Sequence, residues 1–364
     1  MKKKVLFLMH VDWNWIKQRP HFIAEGLAAF YDVTVVYRYR YRRKGYQKRG
    51  EKNFSGNVKK LYLIPKIDKV KFLKPINDFI RKYAVKKIIE KGNFECIYVN
   101  SPKQAMLIPE RYTGKVVYDC MDDHIALAEN KKVRESYYTL EKKLLGTCDE
   151  LIITSNNLEK VLKKRYPNIK FNPKNITLVR NGYNGKILDI EKLDTEYQKD
   201  KFIFVYFGTI SEWFNFDVIV ESLKKFKNIE YWIIGPVLGK VQFPKDSRIK
   251  YLGTVEHDDL YEATKKANCY IMPFKLNDIV VSVDPVKLYE YINFNKNIMT
   301  VEYDEIERFR PFVNFYKDTP SYLDAIEKLL TDGKIKYSNE DRIEFLRNNS
   351  WQKRVEQVVS VIEN

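Results

Sequence analysis

Asp284-Pro285-Val286-Lys287-Leu288-Tyr289-Glu290-Tyr291 follows an apolar run, Cys269–Met272, that reads as a buried strand ended by Pro273. Asp before Pro is a favourable N-cap and N1 pair, so a helix is expected to start at Pro285. Free N–H groups at a helix N-terminus attract phosphates. Lys287 falls in the first turn, placed to neutralise a diphosphate. Glu290 lies three residues on, along the same face, and suits hydrogen bonds from ribose hydroxyls. Spacing alone equally allows an amphipathic helix with a capped start and exposed charges. Either way, strand, loop and helix make one βα unit.

The same alternation runs through the chain. Val5–Met9, Asp32–Tyr37, Glu95–Asn100, Lys115–Tyr118 and Leu151–Thr154 read as strands. Helical spacing follows in Pro20–Phe30 and in Ile76, Phe79, Ile80, Tyr83 and Ile88. The rhythm pauses at the Asn181-Gly182-Tyr183 turn signal and a polar stretch to Lys201. It resumes with Phe202–Phe207, Tyr231–Ile234, Tyr251–Leu252, Cys269–Met272 and Ile298–Val301. Strands alternating with helices of ten or more residues indicate parallel sheets. Two α/β domains are expected, 1–185 and 186–345. From 346 to 364, Trp351, Val355, Val358, Val359 and Ile362 keep helical spacing and predict a C-terminal helix.

At 364 residues with 45% hydrophobic content, the chain can fill two cores. No apolar stretch approaches a membrane span. The run Val5–Met9 is short and is followed by His10 and Asp12, so a first strand is expected rather than a signal peptide. The four cysteines are widely spaced, which suits buried thiols in a reducing cytoplasm. The histidines lack metal-ligand spacing. The net charge of +17 is concentrated: Arg38–Lys91 holds 19 Lys/Arg against 4 Asp/Glu. That points to one basic surface and an anionic partner.

Pro285-x-Lys287-Leu288-x-Glu290-Tyr291 resembles the donor-site motif of GT-B glycosyltransferases of the family 4-like (group 1) type. Other segments are similar to bacterial surface-polysaccharide and teichuronic-acid transferases, in the right order: Gln18-Arg19-Pro20-His21, Tyr118-Asp119-Cys120-Met121-Asp122-Asp123, Asp149–Ser155, Asn181-Gly182, Phe207-Gly208-Thr209 and Leu252-Gly253-Thr254-Val255. The resemblance implies two Rossmann-like domains facing across a cleft, with the C-terminal helix crossing back to the first. It implies an acceptor-binding N-terminal domain and a nucleotide-sugar-binding C-terminal one. Gly208 and Thr209 would lie near the phosphates, Val255 and His257 near the base, Pro285 and Lys287 at the diphosphate, and Glu290 at the ribose. Two departures stand out. The loop Gly208–Trp213 carries neither Arg nor Lys, and Ser282 stands where many retaining members have a second Glu. The Lys-x-x-Glu spacing is closer to the Lys-x-x-Gln of an inverting glucuronosyltransferase of xanthan assembly.

In the N-terminal half the candidates are His10, Asp12, Trp13, Arg19, Asp119, Asp122 and Asp123. Asp12 and Asp122 each follow a strand's carboxyl end, where doubly wound sheets place ligands. An inverting transferase needs a base for the acceptor hydroxyl's proton; Asp122 is the first candidate and Asp12 the second. Each equally suits a helix cap or a solvated loop charge. Trp13, Trp15 and Trp213 suit sugar stacking or simple packing. No metal and no cofactor is expected beyond the donor itself, a UDP-sugar in preference to a GDP-sugar. Arg38–Lys91 is expected to meet an anionic membrane at the inner face of the plasma membrane; a nucleic-acid partner lacks any accompanying motif, and a solvated face is the plain alternative. The expected activity is sugar transfer to a cell-surface, lipid-linked glycan. The alternatives are a sugar-nucleotide epimerase of the same fold and a non-catalytic nucleotide-sugar-binding subunit.

Overall fold

The computed structural model describes residues 2–15, 17–39, 54–65, 73–172, 176–183, 185–192, 200–256 and 259–364. The chain divides into two compact units, 1–181 with 351–364, and 182–350. Much of Arg38–Lys91 (40–53 and 66–72) and His257 lie outside the described residues.

In unit 1 the described strands form a seven-stranded sheet. They are β1 (Lys4–Met9), β2 (Asp32–Arg38), β3 (Asn57–Leu61), β4 (Cys96–Val99), β5 (Lys115–Cys120), β6 (Glu150–Ile153) and β7 (Ile176–Leu178). The order is β3-β2-β1-β4-β5-β6-β7, with every pairing parallel. Helices α1 (Arg19–Leu27), α2 (Lys74–Gly92), α3 (Lys131–Leu145) and α4 (Asn156–Arg165) connect them. The strands of this sheet are nearly all buried, as a sheet covered on both faces requires. β3 and β7 were not anticipated. β3 sits at a sheet edge and alternates exposed with covered residues in a polar sequence, so it lacks the apolar run that marks a central strand.

In unit 2, β8 (Phe202–Phe207), β9 (Ile229–Ile234), β10 (Ile249–Tyr251), β11 (Cys269–Met272), β12 (Asn297–Val301) and β13 (Asn314–Tyr316) form a second parallel sheet, ordered β10-β9-β8-β11-β12-β13. Its described helices are α5 (Phe216–Lys225), α6 (Leu260–Thr264), α7 (Val286–Asn293), α8 (Thr319–Asp332) and α9 (Asn339–Asn348).

α10 (Trp351–Glu363) returns to unit 1 and lies on α1. Trp351 stacks on Phe22 with centroids 4.8 Å apart. Gly26 lets the helices touch: a Cβ there would collide with Val355. Arg354 Nε donates to the Asn181 carbonyl at 3.0 Å, and Tyr31 Oη to Glu363 at 2.7 Å.

Candidate functional site

Both sheets reverse strand order beside their first strand, between β1 and β4 and between β8 and β11. Ligands of open α/β sheets bind beyond the carboxyl ends of strands at such points.

In unit 2, Gly208 follows β8 and holds φ +138°, a conformation that side chains rarely adopt. Gly235 follows β9 at φ +132°, and a Cβ on it would collide with the Gly208 carbonyl. The rim of the sheet is therefore bare backbone. Gly208 N–H donates to Ile234 O at 2.9 Å and Gly235 N–H to Gly253 O at 2.6 Å, which ties the ends of β8, β9 and β10 together.

α7 supplies the opposite side. Its N-cap is Pro285, one residue later than the sequence suggests. Asp284 does not cap the helix; its buried carboxylate pairs with Arg308, which also donates to Tyr289 Oη at 2.9 Å. Sequence reasoning missed Arg308, whose partner lies 24 residues away in the chain. Leu288, Tyr289 and Tyr291 are fully buried. Tyr291 meets Phe207 edge-on at 4.8 Å and stacks on Tyr270 at 4.8 Å. Such pairs contribute roughly 0.5–1.5 kcal/mol each, and they fix α7 against β8 and β11. Lys287 and Glu290 stay partly exposed.

Lys287 stretches over Gly208, occupying the space of the missing side chain. Its Nζ lies 6.0 Å from the centre of the Tyr206 ring. Burial pushes the pKa of its ammonium down, while Glu290 opposes that shift. Thr209 accepts a 2.7 Å hydrogen bond from Tyr206 Oη on its backbone carbonyl. Val255 packs partly buried against the unit 2 core. Ser282 is buried in a short helical turn, its hydroxyl donating to Asp278 O at 3.1 Å. Trp213 also packs against this core.

In unit 1, His10 follows β1 and Asn100 follows β4. Asn100 Oδ1 accepts from the His10 backbone N–H at 3.2 Å, so that atom is the oxygen. The same oxygen lies 2.6 Å from His10 Nδ1, which must then carry the proton. The Asn100 carbonyl meets His124 Nε2 at 3.1 Å. Burial, aided by His10, pushes His124 down to about 4. Asn100 and His124 escaped sequence reasoning; a polar residue directly after an apolar strand was the available signal.

Asp122 stands beside this group. Burial pushes its carboxyl up to about 7, with Arg19 opposing and Asp119 and Asp123 adding to the rise. No hydrogen bond engages its carboxylate among the described residues.

The other carboxylates have structural partners. Asp119 holds Arg19 through Nε and Nη2, each at 2.9 Å, and accepts from Tyr98 Oη at 2.8 Å. Arg19 Nη1 reaches Arg180 O at 3.1 Å. Asp123 caps Ile125 and Ala126 N–H and pairs with Arg165 at 2.5 Å. Asp12 accepts from Asn14 N–H at 3.0 Å. Trp13 is buried in the core against Phe54 and His21, so packing explains it. His21 accepts from Gln18 N–H on Nδ1 and donates from Nε2 to Trp13 O at 3.2 Å. Among the described residues, no group of three His, Cys, Asp or Glu is arranged to hold a metal.

Solved structures match along the whole chain. Sucrose-phosphate synthase of Thermosynechococcus elongatus superposes with TM-score 0.71 at 14% identity, covering 100% of this chain and 98% of that one. A glycosyltransferase of Rickettsia africae gives 0.67 at 12%, covering 100% and 98%. Anabaena HepE in complex with UDP gives 0.66 at 11%, covering 99% of each. The fold is of the GT-B type. At these identities the likeness is one of fold; no family model and no curated protein matches the sequence. In this GT-B chain the sheet rim at Gly208, Gly235 and α7 is one candidate ligand site, and the carboxyl ends of β1, β4 and β5 are a second.

Proposed function

We propose that the chain transfers a sugar from a nucleotide-diphosphate sugar to a cell-surface glycan acceptor. The observation that carries this reading is Lys287, laid over Gly208 at the start of α7. It combines a bare-backbone rim, a helix N-terminus and a partly desolvated cation, the three elements a diphosphate needs. The leaving diphosphate takes the electron pair of the broken sugar–oxygen bond, and Lys287 with the helix N–H groups stabilises that charge. Glu290 accepts from the ribose hydroxyls. UDP is the preferred nucleotide, consistent with the UDP in the similar HepE structure. Asp122 takes the proton of the attacking acceptor hydroxyl. This scheme places no metal in the reaction. The acceptor is lipid-linked and is met at the inner face of the plasma membrane, where the net positive charge of Arg38–Lys91 suits anionic lipid.

Calorimetric titration with UDP and GDP tests the donor site. Glu290→Ala and Lys287→Met should each weaken nucleotide binding at least about tenfold. Unchanged affinity in both variants sinks the assignment. Turnover of the donor without any acceptor identifies an epimerase or hydrolase instead.

A further inference from the structure

α2 carries two apolar stripes where covering a sheet needs one. The inner stripe holds Val85 and Ile89, both buried against the unit 1 sheet. The outer stripe holds Ile76, Phe79 and Tyr83, spaced i, i+3, i+7, with relative exposures of 41%, 67% and 50%. Phe79 and Tyr83 stack on each other at 6.0 Å. Asn77, fully buried, enlarges this patch. Its amide makes a two-way clamp with the backbone of Ile64, accepting from the N–H at 2.9 Å and donating to the carbonyl at 3.1 Å. The clamp brings Tyr62 (58% exposed) and Ile64 (46%) beside the start of the helix.

The charge around the patch is net positive. α2 carries Arg81, Lys82, Lys86, Lys87 and Lys91 against Asp78 and Glu90. Asp78 is taken up by Arg81, and Glu90 by Arg111. Lys87 Nζ rests over the Tyr83 ring, 4.6 Å from its centre, joining aromatic ridge to cationic rim. On the Lys82 and Lys86 side lies a groove of about 660 Å³, with Met106, Leu107 and Leu140 on its wall and the Lys143–Glu110 pair, 3.7 Å apart, on its edge.

We propose that this face of α2, with Tyr62 and Ile64, docks on an anionic phospholipid bilayer, the apolar ridge entering the headgroup layer and the lysines pairing with lipid phosphates. Charge complementarity selects this occupant. Lysines alone suit any polyanion, and bases can stack on Phe79 and Tyr83, but a nucleic acid gives the aliphatic Ile76 and Ile64 no apolar layer to enter. Exposed apolar side chains flanked by Lys and Arg on one helix match a headgroup boundary. The inference deepens the membrane reading above and rests on it, not on the donor-site assignment.

The test is co-sedimentation of the full chain with vesicles of phosphatidylcholine alone or with 30% phosphatidylglycerol. Binding is expected only with the anionic vesicles and should weaken in high salt. Phe79→Ser/Tyr83→Ser should lower partitioning at least about tenfold, and Lys82→Glu/Lys86→Glu/Lys87→Glu should abolish it. All five positions are on the surface, and melting curves confirm folding. UDP affinity, measured in parallel, separates failure of docking from failure of the donor site. Because the four native cysteines are buried, an environment-sensitive dye can be placed on the F79C variant. Its emission should brighten and shift blue on anionic vesicles. No binding, equal binding to both vesicles, full binding by the Phe79/Tyr83 variant, an unshifted dye, or preference for RNA over vesicles overturns the proposal.

Discussion

Lys287 lies where a side chain at Gly208 would be. A glycine at the end of β8 is therefore required twice: for φ +138° and for room for the lysine. Gly208→Ala should cost about 1–3 kcal/mol of stability and push the ammonium off the sheet rim. The expected result is a lowered Tm together with nucleotide binding weakened at least about tenfold. Gly253→Ala is the control. It also has a positive φ, but nothing lies within 4 Å of its Cβ position. It should lower Tm and spare the affinity. Equal losses of affinity in both would mean that backbone strain, not the lysine, is responsible.

Lys287 should trade stability for binding. Burial holds its pKa below the usual lysine value. A base with a depressed folded pKa weakens the fold where it is charged in both states, and the penalty fades as pH rises from the folded pKa towards the unfolded one near 10.5. Lys287→Met removes the penalty at every pH. Its melting temperature at pH 7 should equal or exceed that of the parent, while UDP affinity falls at least about tenfold. A destabilised Lys287→Met protein would show that the lysine supports the fold.

The alternation of strands and helices was legible because buried parallel strands are apolar runs, as in Phe202–Phe207 and Cys269–Met272. β3 was hidden because an edge strand with one wet face needs only a weak pattern. Within Asp284–Tyr291, the helical placement of Lys287 and Glu290, both partly exposed, was legible from spacing. The true N-cap was not, because Asp284 is claimed by Arg308, and a sequence does not show which of two local partners a carboxylate will take. The pairing of His10 with Asn100 depends on two strands 90 residues apart lying side by side, which topology supplies and spacing does not.

Arg19 and Asp119 are buried and joined by two hydrogen bonds of 2.9 Å. Removing one member leaves the other charged in the core, which typically costs 3–5 kcal/mol. Asp119→Ala should lower the unfolding free energy of unit 1, read from urea titration, by about that amount and loosen the link from Arg19 to Arg180 O. UDP binding at unit 2 should persist wherever the protein is folded. Wild-type stability in Asp119→Ala would refute a structural role for the pair and return both residues to the acceptor site.

Asp122 should set the pH dependence of transfer. Burial pushes its carboxyl up to about 7, so the basic form becomes available only through that range. The rate should rise with pH along a limb centred near 7, whereas His124, pushed down to about 4, is already neutral there. Asp122→Asn should lower kcat about 10²–10⁴-fold and remove the limb, with UDP affinity unchanged. Stability gives an independent reading. A carboxyl with a raised folded pKa weakens the fold as pH climbs from the unfolded value near 4 to about 7, and fully above that. Asp122→Asn should therefore melt higher than the parent at pH 8 and no higher at pH 4. His10→Gln should keep the kinetic limb. If His10→Gln loses the limb while Asp122→Asn retains it, the base is the histidine, and Asp122 only shapes its surroundings.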